Sequence, residues 1–188
     1  YQFFAEDPEG RTIEIQSFQH SVKPYLNGEE LLKKRRSIRK YMDRDVPEDI
    51  IRGIMELCRF SPTSMNSESY YFIFIRNRDT IKWLSEIRGS SSAPIKRAPM
   101  AVVICTDSEK TKRPVQDGCI AAYHFILASW SFGLGTCWIA DMDRDIIKSK
   151  LGIPEDDYIA TITPLGFPAE KPSTPKRRNA IEMYEFLD

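Results

Sequence analysis

The spacing of apolar residues along the chain predicts its main helices and strands. After Pro47, apolar side chains recur at intervals of three and four, which places them on one face of a helix. This face consists of Ile50, Ile51, Ile54, Leu57 and Cys58. The run Tyr70–Arg76 is β-branched and aromatic, as in a buried strand. Val115–Phe132 is apolar on nearly every side, which predicts a central core helix.

Shorter apolar runs and turn residues predict the remaining elements. We expect strands at Gln2–Ala5, Arg11–Gln16, Met100–Thr106, Thr136–Ile139 and Tyr158–Leu165, and helices at Glu29–Lys34, Thr80–Ile87 and Asp143–Leu151. The first two strands form a hairpin, and a linker follows it at Ser21–Gly28. The serine-rich stretch 89–99 is expected to be a mobile loop, and Gly166–Lys176 an extended surface segment. Because strands and helices alternate without a strict βαβ repeat, the pattern favours a mixed sheet with helices on its faces.

Charge is balanced in total but uneven along the chain. The 188 residues include 27 basic and 27 acidic side chains, with 41% hydrophobic and 11% aromatic residues, which is typical of a folded globule. Six cations lie within residues 33–40 without an intervening acid, and three more lie at 176–178. All 27 acidic residues lie outside these two clusters, where they outnumber the remaining 18 basic residues. This distribution excludes a disordered tail and a generally basic nucleic-acid binder.

Four cysteines, at positions 58, 105, 119 and 137, stand singly in apolar stretches. Their spacing argues against a zinc site, an iron–sulfur cluster and a disulfide framework, so we expect buried free thiols and a cytoplasmic location. The longest apolar run, Cys119–Trp130, is shorter than the roughly 20 residues of a membrane-spanning helix. We therefore expect no membrane contact. The acidic start of the chain, with Glu6 and Asp7, does not resemble a signal peptide.

The first candidate site is the sequence Arg35-Arg36-Ser37-Ile38-Arg39. Guanidinium groups bind phosphate oxygens through a rigid fork of donors, and a serine hydroxyl between them adds a further contact. The pattern therefore suits a dianionic phosphate ester. From these residues alone, a solvated basic stretch after a helix is the alternative interpretation. Nucleic acid is disfavoured because the rest of the chain is acidic.

Two other segments have binding potential. The turn Pro62–Ser67 contains Asn66, whose amide can recognise a ring edge that alternates acceptors and donors, although a purely structural turn is the alternative. The segment Gly133–Trp138 lacks the third glycine of a dinucleotide-binding fingerprint, but its backbone amides could still approach a flat ligand. His124 lies in an apolar helix and Cys137 has no basic neighbour, so the sequence indicates neither a catalytic side chain nor a metal site.

Taken in order, these motifs resemble the nitroreductase family of FMN-dependent oxidoreductases. The matching segments are Arg35–Tyr41 (RRSIRKY), Val46–Ile51, Ser61–Asn66 (SPTSMN), Gly133–Trp138 (GLGTCW), Leu165–Pro168 (LGFP) and the basic cluster 176–178. The resemblance implies an α+β fold, with a central mixed, mostly antiparallel sheet flanked by helices, in a domain-swapped homodimer. Residues 26–188 would form the FMN-binding domain. Residues 1–25, an N-terminal hairpin extension and linker, lie outside the family pattern.

The resemblance also assigns cofactor-binding roles to individual residues. The FMN phosphate and ribityl chain would be held by Arg35, Arg36, Ser37 and Arg39, joined by Lys176 or Arg178. The isoalloxazine ring would be lined by a turn of the partner subunit, with Pro62, Ser64, Met65 and Asn66. A strand behind the ring, near its N5, would contribute Cys137, Trp138, Ile139 and Ala140.

The implied reaction passes hydride from NADH or NADPH through FMN to a nitroaromatic, a quinone or a similar small acceptor, with ping-pong kinetics and no single catalytic side chain. Alternatives are a flavin-binding or sensing module without turnover, and a specialised family member such as a dehalogenase or a dehydrogenase. The chain departs from the family pattern at two places. Glu68, Ser69 and Tyr70 stand where Gln-Pro-Trp is frequent, and Ala140 replaces a usual glycine, a change that the fold is expected to tolerate.

Overall fold

The computed structural model describes residues 27–187 and, before them, the backbone of two strands, β1 (Gln2–Glu6) and β2 (Thr12–Gln16). These strands pair antiparallel, with Gln2 opposite Gln16, so the predicted hairpin is confirmed at the level of its backbone. The predicted turn between the strands and most of the predicted linker lie outside the described residues.

A four-stranded antiparallel sheet forms the centre of the molecule. Its strands are β3 (Tyr70–Ile75), β4 (Met100–Thr106), β5 (Gly135–Thr136) and β6 (Tyr158–Gly166), in the spatial order β3-β4-β6-β5. Val103 of β4 lies opposite Ile73 on one side and Ile162 on the other. A single parallel bridge, between Ser37 and Thr136, extends the sheet beyond β5. The predicted α+β fold with a mostly antiparallel sheet is confirmed.

Helices cover both faces of this sheet. They are α1 (Gly28–Lys34), α2 (Glu48–Cys58), α3 (Arg78–Glu86), α4 (Pro114–Ser131) and α5 (Asp145–Leu151), with short 3₁₀ helices at Ser64–Asn66, Gly89–Ser91, Ala93–Arg97 and Ala180–Met183. Successive β4 side chains alternate between two cores because side chains of a strand point to opposite faces. Val102 packs with α2 and α4, whereas Val103 packs with α3 and α5. In the described part of the chain, no helix has the length and apolar character that crossing a membrane requires.

Several local predictions need correction. The run Tyr70–Arg76 is a half-buried edge strand, in which only Ile75 is buried, because β3 has a neighbour on one side only in the described structure. Leu57 is 39% exposed, although it continues the apolar face of α2. The stretch 89–99 is not an irregular loop, since it forms two 3₁₀ helices with Ile95 fully buried.

Candidate functional site

An extended segment, residues 35–42, carries the arginine motif along the edge of the sheet. Its Ile38 is buried, and the Ile38 N–H donates to the Thr136 carbonyl at 2.8 Å. Further along, the Met42 N–H donates to the Phe167 carbonyl at 2.9 Å. Because an extended chain alternates its side chains, the inward Ile38 leaves Ser37 and Arg39 facing away from the core. Backbone pairing with β5 and the end of β6 thus holds the motif at the protein surface.

The C-terminal tail returns to the same segment. The Glu170 carboxylate accepts hydrogen bonds from the backbone N–H groups of Arg39 (2.5 Å) and Lys40 (3.0 Å). Farther along the tail, the Thr174 hydroxyl accepts from the Arg36 guanidinium at 2.6 Å, and this guanidinium also donates to the carbonyls of Lys33 and Arg35. The tail that carries the second basic cluster therefore returns to the first cluster, although more than 130 residues separate the bonded pairs along the chain.

A cavity of about 280 Å³ lies between the arginine motif and the tail. It is lined by Arg35, Arg36, Ser37, Arg39, Pro172, Ser173, Pro175 and Arg177. An adjacent cavity of about 520 Å³ shares part of this lining and adds Leu32, Lys33, Lys34 and Thr174. The lining of both cavities contains basic and neutral residues without an acid. Arg177 represents the C-terminal cluster here, whereas Lys176 and Arg178, the residues expected from the resemblance, line neither cavity.

The cations of the smaller cavity are available to an anion. Within the described residues, Arg35, Arg39 and Arg177 form no ion pair, whereas Lys33 and Lys34 are paired with Glu29 and Glu30. Among the described residues, the buried Nε of Arg36 has no hydrogen-bond partner. Unneutralised guanidinium groups beside a serine hydroxyl match the donor set that a phosphate ester requires. The residues present therefore fit a phosphate group.

The turn that follows α2 has an unusual backbone. Met65, Asn66 and Glu68 have φ values of 53°, 53° and 48°, in the left-handed region that non-glycine residues rarely adopt. Met65 is fully exposed, and the side chains of Pro62 and Asn66 are exposed as well. Strain of this kind persists only where the surrounding structure imposes it, and it is concentrated at functional sites.

A larger cavity, of about 810 Å³, lies between this turn, the end of α2 and the edge strand β3. Its lining combines aromatic walls with a few polar groups: Met55, Arg59, Phe60, Ser61, Pro62, Asn66, Glu68, Tyr70, Tyr71, Phe72 and Phe74. Of the four turn residues singled out from the sequence, Pro62 and Asn66 line this cavity, whereas Ser64 and Met65 do not. Flat aromatic walls with an amide at the rim suit a planar, partly polar ligand.

Asp117 organises the turn and was not singled out by the sequence patterns. Its carboxylate is 1% exposed and accepts hydrogen bonds from the Ser64 N–H (2.8 Å), the Ser64 hydroxyl (2.9 Å), the Ser69 hydroxyl (3.3 Å) and the Thr111 hydroxyl (2.6 Å). Burial by itself would raise the pKa of Asp117, but these donors outweigh it and hold the pKa below the usual range. The available sequence signal was an acid in the first turn of an otherwise apolar helix.

The segment 137–140 continues β5 without regular strand pairing. The predicted strand Thr136–Ile139 is wrong in its bounds, since β5 covers only Gly135–Thr136. Beyond Thr136, backbone N–H groups donate to threonine hydroxyls of β6 and not to backbone carbonyls. The N–H groups of Cys137 and Ile139 each donate to such a hydroxyl at 3.1 Å. Cys137 and Ile139 are buried, whereas Trp138 and Ala140 are exposed.

The end of this segment is tied down by an arginine from another part of the chain. Arg88 donates to the Ala140 carbonyl at 2.6 Å and forms an ion pair with Asp141 at 3.1 Å. Asp141 has a φ of 57°, so the left-handed conformation lies one residue after the position where the family often has glycine. Ala140 itself needs no positive φ, and the fold accommodates it, as expected.

The remaining reactive groups are poorly placed for chemistry of their own. Burial raises the pKa of the Cys58 and Cys105 thiols to about 12 and also raises that of Cys137, so these thiols stay protonated. His124 is half-buried in α4. Among the described residues, no group of three or more histidine, cysteine, aspartate or glutamate side chains could hold a metal ion.

Comparison with known proteins agrees with the motifs. The family model described as Nitroreductase family matches residues 32–93 and 84–167. A protein of Methanothermobacter thermautotrophicus, provisionally named NADH dehydrogenase/NAD(P)H nitroreductase, is 39% identical over 152 residues, which cover 77% of this chain and 79% of that protein.

Solved structures share the fold. A provisionally named NADH dehydrogenase/NAD(P)H nitroreductase from Parabacteroides distasonis has a TM-score of 0.77 at 26% identity, with 85% of this chain and 96% of that chain covered. An FMN-dependent nitroreductase from Clostridium difficile has a TM-score of 0.75 at 29% identity, with 84% and 98% covered. Because the family model matches more than half of the chain, and sequence relatives and fold agree with it, the chain belongs to the nitroreductase family.

Proposed function

We propose that this chain is an FMN-dependent oxidoreductase that takes electrons from NADH or NADPH and passes them to a nitroaromatic, a quinone or a similar small acceptor. The observation that carries the proposal is the cavity in which Arg35, Ser37, Arg39 and Arg177 converge without an acidic neighbour in its lining. The names of similar proteins, an NAD(P)H nitroreductase and an FMN-dependent nitroreductase, support the same cofactor and donor.

Each part of the site has its own task in this proposal. The arginine motif and the C-terminal tail hold the phosphate and the ribityl chain, while the turn with Pro62, Ser64, Met65 and Asn66 lines the ring. The segment with Cys137, Trp138, Ile139 and Ala140 lies behind the ring. Bound FMN supplies two-electron hydride chemistry.

Backbone donors are the chain's main contribution near the ring. In the described structure, the N–H groups of Trp138 and Ala140 have no hydrogen-bond partner, whereas those of Cys137 and Ile139 are engaged by threonine hydroxyls. Free N–H donors beside a flavin stabilise negative charge on its reduced form. Since binding and orientation suffice, we propose that no single side chain acts as an acid or base, and that donor and acceptor use the same face in ping-pong order.

The functional unit in this proposal is a domain-swapped homodimer of the FMN-binding domain, residues 26–188, preceded by the extension at 1–25. Two observations support an oligomer. The 810 Å³ cavity lies beside a strand whose outer edge is unpaired in the described structure. In addition, α4 exposes large apolar side chains at Ile120 and Tyr123, one helical turn apart.

Anaerobic stopped-flow spectroscopy tests the function directly. We expect the purified protein to carry FMN, to lose its absorbance near 450 nm when mixed with NADH or NADPH, and to regain it when a nitroaromatic or a quinone is added. Parallel lines in double-reciprocal plots would support the ping-pong order. A colourless protein that does not take up FMN would contradict the proposal, and bound FMN that neither nucleotide reduces would favour a sensing module.

A further inference from the structure

The strained turn is anchored at both ends of its left-handed stretch. Met65, Asn66 and Glu68 hold positive φ values, and a chain of ordinary residues gives up such a conformation unless outside contacts enforce it. Within the turn, the N–H groups of Asn66, Ser67 and Glu68 donate to the Thr63 carbonyl (3.1 Å), the Ser64 carbonyl (3.1 Å) and the Thr63 hydroxyl (3.0 Å). Contacts with α4 tie this turn to the rest of the fold. Ser64, which precedes the strained residues, and Ser69, which follows them, both donate to Asp117.

The carboxylate brackets the turn in an ordered way. One oxygen, Oδ1, accepts both the N–H and the hydroxyl of Ser64, at 2.8 and 2.9 Å. The other oxygen, Oδ2, accepts the hydroxyls of Ser69 at 3.3 Å and Thr111 at 2.6 Å. Both ends of the strained segment are therefore hydrogen-bonded to one side chain. That side chain belongs to α4, the longest helix of the described structure.

An ionised carboxylate is the group that this arrangement requires. It accepts hydrogen bonds only, and both of its oxygens have two donors each. An asparagine side chain of the same shape carries no charge and keeps only one acceptor oxygen. A hydroxyl that faces its NH2 group would have to rotate and accept instead. Within the described residues, Asp117 has no cationic partner, so its charge is balanced by these donors and by its place in the first turn of α4.

We propose that Asp117 is a positioning residue for the flavin site: it holds the turn in the strained conformation that presents Asn66 to the ring. This inference rests on the proposed function. Asp117 is buried beneath the turn and acts through Ser64 and Ser69. Its effect on the cofactor is therefore indirect, through the conformation of the residues that line the cavity.

The experiment compares Asp117→Asn with Asp143→Asn in the full chain. Asp143 is the control carboxylate because it accepts from the Ile159 N–H (3.1 Å) and pairs with Lys148 (3.0 Å), and neither partner belongs to the turn or lines the 810 Å³ cavity. Ser69→Ala removes the trailing anchor alone, and Thr111→Ala removes a hydrogen bond from the same carboxylate without touching the turn. Each variant is measured by thermal melting, by hydrogen exchange of peptides that cover residues 61–69, and by titration of the apoprotein with FMN.

We expect Asp117→Asn to accelerate exchange in 61–69 and to weaken FMN binding, each about tenfold, because a neutral amide no longer forms the charge-assisted hydrogen bonds that the carboxylate accepts from Ser64, Ser69 and Thr111. Ser69→Ala changes both in the same direction by less, while Asp143→Asn and Thr111→Ala leave the turn and the FMN affinity near wild type, whatever Tm they lose. Equal effects of Asp117→Asn and Asp143→Asn would overturn the proposal, as would faster exchange with unchanged FMN affinity. If the wild-type chain binds no FMN, the proposed function fails, and the flavin role of Asp117 fails with it. In that case, faster hydrogen exchange confined to residues 61–69 in Asp117→Asn would still show that Asp117 holds the conformation of the turn. Should Asp117→Asn not fold, Ser69→Ala and Thr111→Ala carry the same comparison.

Discussion

Individual cations of the C-terminal cluster are not equivalent. Three consecutive basic residues look interchangeable in the sequence, but only Arg177 of the three lines the cavities beside the arginine motif. In an extended tail, neighbouring side chains point in different directions, so one residue faces the cavity and the next faces solvent. Of the three residues, Arg177 is therefore the one that we expect to contribute to binding.

A single substitution tests this difference. We expect Arg177→Ala to weaken FMN binding about 10- to 100-fold, the effect of losing one charge-assisted contact, and Arg178→Ala to change it far less. Fluorescence titration of the apoprotein measures both. Arg52→Ala, at an exposed arginine paired with Glu48, controls for the loss of one positive charge. A larger effect of Arg178→Ala would show that the tail takes another course in the bound protein.

Burial also sets the reactivity of the thiols. The pKa of Cys58 and of Cys105 is raised to about 12, so at pH 8 only about one such group in ten thousand is thiolate, the reactive form. We expect iodoacetamide at this pH to leave both cysteines unmodified in the folded protein and to alkylate both in denaturant, with mass spectrometry of the peptides as readout. Because the pKa is raised, the alkylation rate of the folded protein increases only as the pH approaches 12. Rapid alkylation of Cys58 at pH 8 would contradict the buried placement.

At the scale of elements, the site depends on how segment 35–42 packs against β5. Ile38 occupies the space above Gly135, and a Cβ built on Gly135 would lie 2.6 Å from the Cβ of Ile38. No real pair of such atoms is that close, so a side chain at 135 must displace the backbone that carries the arginines. A glycine in a strand thereby constrains the position of the arginine motif, which belongs to another segment.

Gly135→Ala should therefore affect both stability and binding. We expect a loss of about 1–3 kcal/mol in the free energy of unfolding, as for other overpacked sites, together with weaker FMN binding. Gly28→Ala is the control, because nothing lies within 4 Å of its added Cβ and its φ is not positive. Urea denaturation and FMN titration measure the two effects. A stable Gly135→Ala protein with wild-type affinity would show that the two segments separate easily.

The threonines of β6 provide a second test at this scale. Thr163→Val removes the hydroxyl that accepts from the Cys137 N–H and leaves a buried donor unpaired, which costs about 1–3 kcal/mol. Thr106→Val, on the neighbouring strand β4, is the matched control, since the Thr106 hydroxyl is buried and has no partner in the described structure. We expect urea melts to show destabilisation by Thr163→Val and no loss of stability with Thr106→Val. Similar melts for the two variants would mean that the hydroxyl of Thr163 does not support segment 137–140.

On the scale of the whole molecule, the described surface exposes large apolar side chains in several places, of which two concern the assembly. One is the outer face of α4, with Ile120 43% and Tyr123 47% exposed. The other is the end of the chain, where Ile181, Met183, Tyr184, Phe186 and Leu187 are all more than half exposed. Patches of this kind are typical of surfaces that another chain covers, which agrees with the proposed homodimer.

Disruption of one patch should dissociate the assembly. We expect Tyr123→Arg to shift the protein from dimer towards monomer in light-scattering chromatography and to reduce its FMN content, because half of each ring pocket comes from the partner in the proposed dimer. Ile146→Arg is the control, since Ile146 is 59% exposed on α5, away from α4. Wild-type protein that elutes as a monomer with full FMN content would contradict the dimer.

Local patterns were sufficient to predict much of this protein. Helices α2 and α4, strands β4 and β6 and the order of the family motifs follow from residues that are close in sequence, because apolar period and turn chemistry act over a few residues. The same patterns suggested Arg35, Ser37 and Arg39 as candidate phosphate ligands, and the structure places all three along one cavity. They also showed that the neutral total charge conceals two basic clusters.

Only the tertiary structure decided how these parts meet. It selected Arg177 from the C-terminal cluster, left β3 at an edge of the sheet, and brought Asp117 beneath a turn some 50 residues earlier in the chain. No local pattern encodes such choices, since they depend on long-range hydrogen bonds and on which side chains remain unburied after the core has packed. Residues of both basic clusters line one cavity. They do so because residues 37–42 pair through their backbone with the chain around β5 and β6, which brings the arginine motif next to the C-terminal tail.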